Sequence, residues 1–333
     1  MKKILALVLC MFAAGSLLFA GASKEGGAKE KVILKIATIL TSGEPAVNQM
    51  YAFADRVAKR SNGEIEIQVY PNSELYTVQK DILEAIVRGG NIIAFADPAQ
   101  MADYVPDYAI MNGPYLYNSP YDIRKVGLSD WGQEQVNALA KKGIRVIDSM
   151  TTYFGTRQMI SKKAFSGPGD LRGMKVRVPT TPLWVETITA MGGNPTTIAF
   201  SECYSALQQG VVDAAENPLP SIYAAKFQEV AKNVVMTQHM IAPGGLEMSE
   251  EFFQKLSKEH QTILLEEALK YAELTTEEVL ASESKVIDAM KKEGVTFTDP
   301  DIAAFRKATE IVYSKFPAWT PGAYDRVKAI VAK

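Results

Sequence analysis

The sequence has few of the residues on which disulfide, metal and nucleophile chemistry depend. It contains 2 cysteines and 2 histidines, and Cys10 lies in an N-terminal apolar run, so Cys203 alone remains for the folded part. A single cysteine excludes an intramolecular disulfide. The common motifs of zinc sites, phosphate loops and serine nucleophiles are absent, and Gly167-Pro168-Gly169 with Gly173 misses the dinucleotide-binding spacing. We therefore expect no metal, no cofactor and no catalytic residue.

An excess of charge of either sign is also missing. The 36 basic and 38 acidic side chains give a net charge of -2, which becomes -4 when Lys2 and Lys3 are subtracted. Proteins that bind nucleic acid usually carry a basic excess or a basic patch. We therefore expect no nucleic-acid partner.

One long apolar run is present, at the N-terminus. Residues 4–20 follow Lys2 and Lys3 and lead into Ala20-Gly21-Ala22, a typical signal-peptidase site. We predict a signal peptide over 1–22, cleavage near Ala22, a flexible tether over 23–30 and a periplasmic location. An uncleaved membrane anchor is the alternative. A lipoprotein is not indicated, because Ser23 occupies the position that a lipid-bearing cysteine would need.

Strands and helices alternate in the first part of the chain. Apolar runs or alternation predict strands at 32–40, 65–69 and 92–96, and helical spacing predicts helices at 46–59 and 78–86. This βαβ order is typical of a mostly parallel sheet.

The alternation resumes after residue 144. Strands are predicted at 144–149, 157–161, 174–178 and 211–214, with Ser201 as the N-cap of a helix before the last of these. A segment without proline or glycine over 257–293 predicts one very long helix, or two helices that join near Thr275-Thr276. A mature chain of about 310 residues favours two lobes over a single core, and a helix of this length would brace both.

Three consecutive motifs resemble those of the DctP-type TRAP solute receptors. Residues 173–179 (GMKVRVP) are similar to the family's G-x-K-x-R-x-P, 199–208 to its A-F-S-E-x-Y-x-A-L-Q, and 212–218 to its V-D-G-Q-E-N-P. Residues 226–230 and His239 continue the pattern, and weaker similarity extends over nearly the whole mature chain. We expect the family's α/β, two-lobed periplasmic-binding-protein-like fold, with a ligand cleft between the lobes.

The resemblance implies a set of ligand-binding residues in the second lobe. The arginine matching Arg177 forms the salt bridge to the ligand carboxylate, for which a guanidinium offers two parallel N–H donors. Arg157 matches a second arginine that contacts the ligand or holds the first one's surroundings, and Asn217 matches an asparagine of the site. Phe200 would form an apolar wall, or belong to the core.

Four further positions bear on specificity. Asp97 follows a predicted strand and aligns with an acidic residue that contacts hydroxyls in sialate binders, while Glu44 lies in a loop that faces the cleft or solvent. Thr180 replaces the asparagine of sialate binders, and Trp184 would stack on the ligand or pack the helix. Because an acidic group repels a second carboxylate, we expect the ligand to carry a hydroxyl or an amine.

The resemblance also implies boundaries and a function. Lobe I would comprise 31–154 and 243–282, and lobe II 155–242 and 283–333. The chain would be a monomeric solute receptor that captures a C4-dicarboxylate, uronate, sialate-like or keto acid by hinge closure and delivers it to the membrane permease subunits. An exported enzyme acting on a carboxylate and a sensor-coupled binding protein are the alternatives.

Overall fold

The computed structural model describes residues 31–333, so the predicted signal peptide and tether lie outside the described residues. The strands are β1 Val32–Ala37, β2 Ile65–Tyr70, β3 Ile92–Ala96, β4 Ile144–Val146, β5 Thr152–Ser161, β6 Lys175–Val178, β7 Asn194–Thr197, β8 Ala214–Pro218, β9 Asn233–Ser249 and β10 Thr296–Thr298. The helices are α1 Pro45–Arg60, α2 Gln79–Val87, α3 Asp122–Leu128, α4 Asp130–Ala140, α5 Pro182–Ala190, α6 Cys203–Gln209, α7 Leu219–Ala224, α8 Phe227–Val230, α9 Glu250–Lys255, α10 Lys258–Lys292, α11 Ile302–Thr309 and α12 Ala323–Val331.

The sheet is mixed, and this corrects the prediction of a mostly parallel one. Its order is β2-β1-β3-β9-β5-β8-β6-β7, with β4 and β10 also paired to β9. Parallel pairs lie toward both ends of this order, but β9 runs antiparallel to β3 and β5, and β5 antiparallel to β8. The reason is that β5 and β9 are long strands that run through the middle of the sheet in opposite directions.

Strand β9 is the element that joins the two lobes. Its residues Gly245–Met248 pair with β3, whereas Asn233–Gly244 lie along the stretch that pairs with β5. Almost all of its 17 residues are buried or half-buried. The two-lobed α/β fold is therefore built on a shared central strand, with β5 as a second crossing.

Helix α10 confirms the prediction of one very long helix. It has 35 residues, about 50 Å at a rise of ~1.5 Å, and it contacts α1, β5 and α7. The Ser257 hydroxyl caps it by accepting from the His260 N–H. No break occurs at Thr275-Thr276, where the Thr276 hydroxyl donates to the Ala272 carbonyl and accepts from the Tyr153 N–H.

Two element starts differ from the predictions. Ser201 is not an N-cap, because the chain forms a 3-10 turn over Phe200–Glu202 before α6 begins at Cys203. Strand β8 begins at Ala214 rather than at residue 211, because Gly210 ends α6 in the left-handed conformation and Val211 remains in the following turn. The chain reaches the edge of β6 only at Asp213, whose N–H bonds to the Lys175 carbonyl.

The C-terminal helix α12 lies against the first lobe. Val327 and Val331 belong to the same buried apolar cluster as Ile123, Val126 and Trp131. The division predicted from the sequence places 283–333 in lobe II, whereas α12 packs against residues of lobe I. The boundaries near 154/155 and 242/243 stay a prediction; the β5–β9 pairing has an irregularity between Tyr153 and Gly155.

Gly155 occupies a conformation and a space that only glycine fits. Its φ is +140°, and an added Cβ would lie 2.5 Å from the Pro218 Cβ. We expect Gly155→Ala to lower the free energy of unfolding by about 2–4 kcal/mol through backbone strain and overpacking. Gly169→Ala, with open space around it, is the control and should stay within about 0.5 kcal/mol in urea denaturation. Equal effects of both substitutions would contradict this account of Gly155.

Candidate binding site

Three adjacent strands of the second lobe carry the polar residues that the motifs single out. Arg157 lies on β5, Asn217 on β8 and Arg177 on β6, and each is at least nine-tenths buried. The register places Arg157 opposite Pro218 and Arg177 opposite Ala215. Residues distant in sequence are therefore brought to neighbouring positions on one part of the sheet.

Arg177 is a buried cation without a counter-ion among residues 31–333. Only 3% of its surface is exposed. Its Nε donates to the Ile198 carbonyl at 2.9 Å, and its guanidinium lies 5.6 Å from the centroid of the Phe200 ring. Burial lowers the pKa of Arg177 from its ordinary value. A buried charge is costly unless it is paired, and the described residues supply no anion to this guanidinium.

Arg157, in contrast, is already paired within the protein. Its Nε and Nη2 donate to the two carboxylate oxygens of Glu216, which is fully buried. His239 approaches the same carboxylate, with 3.3 Å between Nε2 and Oε2, and its Nδ1 lies 2.8 Å from the Thr237 hydroxyl. Burial alone raises the pKa of Glu216, but the charge and hydrogen bonds of Arg157, followed by His239, outweigh it and hold the pKa at about 2.

Glu216 and His239 are central to this network, although the sequence reasoning did not single out either as a site residue. The available signal was their place within or beside the recognised motifs. A glutamate at a fully buried position of β8 requires a cationic partner, and Arg157 on the neighbouring strand supplies it.

The first lobe contributes acidic groups to the same region. Asp97 follows β3 and is half-buried, and its Oδ1 is buried without a hydrogen-bond partner among the described residues. Burial raises the pKa of Asp97 to about 6, with Arg157 lowering it and Glu216 raising it further. An oxygen in this state accepts a hydrogen bond from a hydroxyl or an amine more readily than it tolerates a second carboxylate.

Glu44 links the two lobes. It is 1% exposed and precedes α1, where its Oε1 accepts from the Thr41 N–H at 2.7 Å. Its Oε2 accepts from the Ser221 hydroxyl on α7 of the second lobe. Burial raises the pKa of Glu44 to about 7, against the opposing effects of Ser221, Thr41 and Arg157.

The raised pKa of Glu44 predicts a pH-dependent stability. Because the folded value of about 7 exceeds the ordinary 4.5, the stabilisation from protonated Glu44 is complete below pH 4.5 and is lost as the pH rises through 7. Glu44→Gln mimics the protonated form at every pH. The difference in unfolding free energy between this variant and the parent should therefore shift in favour of the variant by more than about 1 kcal/mol from pH 4.5 to pH 8. Urea denaturation at both pH values measures this. The exposed Glu74→Gln should give no such trend, and a flat Glu44→Gln difference would refute the assignment.

The remaining candidates occupy three different environments. Phe200 is 9% exposed and packs against Phe227 at 5.6 Å between ring centroids, so it serves as core and as the support of Arg177. Thr180 is exposed between β6 and α5. Trp184 is fully buried on α5, with the Arg157 guanidinium 5.3 Å from its ring centroid.

Other features of residues 31–333 lie apart from this region. An open hollow of about 480 Å³ is lined by residues that include Tyr115, Arg306, Tyr313 and Lys328, and by none of the candidates above. No group of three or more His, Cys, Asp or Glu side chains in this range is arranged to hold a metal ion. No helix within it has both the length and the apolarity of a membrane span.

A two-lobed α/β fold with a buried, unpaired guanidinium beside the crossing strands defines a binding protein for small anions. The chain belongs to the bacterial extracellular solute-binding protein family 7 (DctP), whose profile matches residues 36–318. Its relatives are the periplasmic solute-binding proteins of TRAP transporters.

Three relatives illustrate the similarity. The sialic acid-binding periplasmic protein SiaP of Vibrio cholerae is 32% identical over 284 residues, which cover 85% of this chain and 88% of that protein. A TRAP solute-binding protein from Ochrobacterium anthropi, solved with bound L-fuconate, has a TM-score of 0.87 at 37% identity, over 90% of this chain and 99% of that one. A third, from Actinobacillus succinogenes with bound L-galactonate, has a TM-score of 0.87 at 32% identity over the same shares.

Proposed function

We propose that this protein captures a small organic acid by pairing the acid's carboxylate with Arg177. The unpaired, buried guanidinium of Arg177 is the observation that carries the proposal. A carboxylate matches the two terminal nitrogens of a guanidinium, and the pair strengthens as water is excluded. Asn217 is 5% exposed, and its side-chain amide, which has no hydrogen-bond partner among residues 31–333, supplies a further donor beside Arg177.

We infer that the acid has one carboxylate and several hydroxyls. From the first lobe, Asp97 acts electrostatically on Arg157 and favours hydroxyl donors over a second anion. Both oxygens of Glu44 already accept hydrogen bonds from Thr41 and Ser221. The L-fuconate and L-galactonate of two structural relatives are acids of this kind. Thr180, exposed beside β6, takes the place of an asparagine in sialate binders and lacks its amide, which argues against sialate as the ligand.

Capture would proceed by closure of the two lobes around the acid. Closure about β5, β9 and α10 would enclose the acid beside Arg177 and bring Asp97 to the ligand. By family membership, the loaded protein would deliver the acid to the membrane permease subunits of a TRAP transporter. We propose that it is exported through a signal peptide cleaved near Ala22 and acts as a monomer, without changing the acid.

The proposal is tested by thermal unfolding of the mature protein with a panel of acids. The panel contains L-galactonate, L-fuconate, D-galacturonate, sialate, succinate and pyruvate. A ligand at ~100 times its dissociation constant adds roughly 2.7 kcal/mol to the folded state, which raises the midpoint by several degrees. We expect the sugar acids to give the largest rise, and NMR to recover the acid unchanged. If no acid raises the midpoint, or if the acid is consumed, the proposal fails.

A further inference from the structure

Tyr115 of the first lobe has a backbone conformation that is rare for a bulky residue. Its φ is +53°, in the left-handed region, while the next residues, Leu116 and Tyr117, belong to the buried apolar cluster of the first lobe that contains Trp131. A side chain of this size occupies that region only where its surroundings hold it there. The contacts of Tyr115 therefore show what the strain serves.

Every polar group of Tyr115 forms a hydrogen bond with the second lobe. Its N–H donates to the His239 carbonyl at 3.0 Å, and its hydroxyl donates to the Thr237 carbonyl at 2.9 Å. Its own carbonyl accepts from Arg306 Nη1 at 3.3 Å, and the Arg306 guanidinium lies 4.9 Å from the centroid of its ring. Arg306 belongs to α11, which packs against α5 of the second lobe.

The part of β9 that Tyr115 contacts is a bulge. The ladder with β5 is interrupted after the pair Arg157–Met240, so that residues 236–239 of β9 lie opposite residue 158 alone. Gln238, inside this β9 bulge, has a φ of +46°. Bulges redirect side chains and are frequent beside functional sites.

The β9 bulge places His239 in the charge network of the candidate site. The imidazole is fully buried, with Nε2 3.3 Å from the Glu216 carboxylate and Nδ1 2.8 Å from the Thr237 hydroxyl. Tyr115 binds the carbonyls of both Thr237 and His239, so it fixes the backbone from which the imidazole projects. Glu216 in turn neutralises Arg157, and a continuous series of contacts joins the first lobe to that arginine.

We propose that Tyr115 is a positioning residue of the binding site: from the first lobe it holds the β9 bulge so that His239 faces Glu216. The inference rests on the proposed function. Because its acceptors lie in the second lobe, movement of the lobes must displace the bulge or break these bonds, which couples closure to the order of the network. Arg157 acts electrostatically on Arg177, so the same contacts influence the affinity for the acid.

Tyr115→Phe is the variant that tests this role. It removes the hydroxyl bond to Thr237 and keeps the ring beneath Arg306. Tyr271→Phe is the matched control, because the Tyr271 hydroxyl also donates to a backbone carbonyl, that of Ala46 at 3.4 Å, but within the first lobe.

Nitrogen NMR of the free mature protein measures the positioning directly. The chain has 2 histidines, so His260 serves as the internal reference for His239. The hydrogen bonds of the ring determine which of its nitrogens holds the proton. We expect His239 of the parent to hold it on Nε2, facing Glu216, and Tyr115→Phe to populate the Nδ1 form. His260 should be unchanged, and Tyr271→Phe should leave both rings as in the parent.

Calorimetric titration with L-galactonate and L-fuconate measures the coupling. We expect Tyr115→Phe to weaken both acids about three- to tenfold, as for the loss of one hydrogen bond, and Tyr271→Phe to bind them like the parent. In a double-mutant cycle, Tyr115→Phe should cause no further loss once His239→Gln is present, because no imidazole then remains to be aimed at Glu216.

Parental affinity of Tyr115→Phe, an unchanged His239 proton position or an equal effect of Tyr271→Phe overturns the role of Tyr115. A further loss of affinity when Tyr115→Phe is added to His239→Gln also overturns it. Failure of the proposed function has a different signature: no acid of the panel binds the parent, or Arg177→Ala binds as tightly as the parent, and the coupling then falls with it. If binding depends on Arg177 but not on the Tyr115 hydroxyl, only the role of Tyr115 is overturned.

Discussion

Replacing Arg177 with alanine is expected to abolish acid binding while the free protein stays folded. The substitution removes the one buried guanidinium whose terminal nitrogens have no partner within residues 31–333, and truncating one side of a buried charge pair costs about 2–5 kcal/mol. We therefore expect the dissociation constant to rise at least a hundredfold. The free energy of unfolding without ligand should not fall, because the substitution removes a buried charge that is costly while it is unpaired.

Two further variants sharpen this test. Arg177→Lys should bind with intermediate affinity, since an ammonium keeps the charge but loses the bidentate geometry. Arg172→Ala, at an exposed position shortly before β6, removes a charge of the same sign and should bind like the parent. The account is contradicted if Arg177→Ala keeps parental affinity, or if Arg172→Ala loses as much.

The second large effect is expected from Glu216→Gln. This change leaves Arg157 buried without its counter-ion, and breaking a buried ion pair in this way costs about 3–5 kcal/mol. The exposed pair of Arg326 and Glu134 is also bidentate, through Nη1 and Nη2 of the arginine. Because exposed ion pairs contribute little to stability, Glu134→Gln is the matched control. Urea denaturation of both variants at pH 7 measures the two costs.

The same pair predicts how stability responds to acid. The pKa of Glu216 falls from its ordinary 4.5 to about 2 in the folded protein. Its stabilisation is therefore complete above pH 4.5 and is lost as the pH falls through 2. The loss of unfolding free energy that Glu216→Gln causes relative to the parent should become smaller below pH 4. The corresponding loss for Glu134→Gln should remain small at every pH. The assignment would be contradicted if Glu216→Gln lowered the free energy of unfolding by less than about 1 kcal/mol at pH 7. It would also be contradicted if the loss became larger as the pH falls.

Apolar periodicity and the positions of proline and glycine were sufficient to predict β1, β2, β3, α1, α2 and α10, but not α3 or α4 of the first lobe. The apolar spacing of 46–59 and the absence of proline and glycine over 257–293 correspond to α1 and α10. Strand β9 was not predicted, because Pro243-Gly244-Gly245 inside it is typical of a turn. Tertiary packing overrides that signal: Gly244 lies against Phe95, which leaves no space for a side chain.

The sequence predicted which residues form the candidate site, but it did not predict which of them form ion pairs with each other. The motifs identified Arg157, Arg177 and Asn217 by resemblance, but a motif carries no information on which arginine a protein carboxylate neutralises. That depends on the register between β5 and β8, which places Glu216 beside Arg157. The hydrogen bonds of Tyr115 to the β9 bulge likewise emerge only from the tertiary structure.

The central claim is that Arg177 holds the carboxylate of the ligand between the two lobes. A crystal structure of the mature protein with the acid that gives the largest thermal shift tests it most directly. The account predicts both carboxylate oxygens within about 3 Å of the Arg177 terminal nitrogens, with Asp97 facing a hydroxyl. An acid bound elsewhere, for example in the hollow beside Arg306 and Lys328, would contradict it, as would Arg177 paired with a carboxylate of the protein.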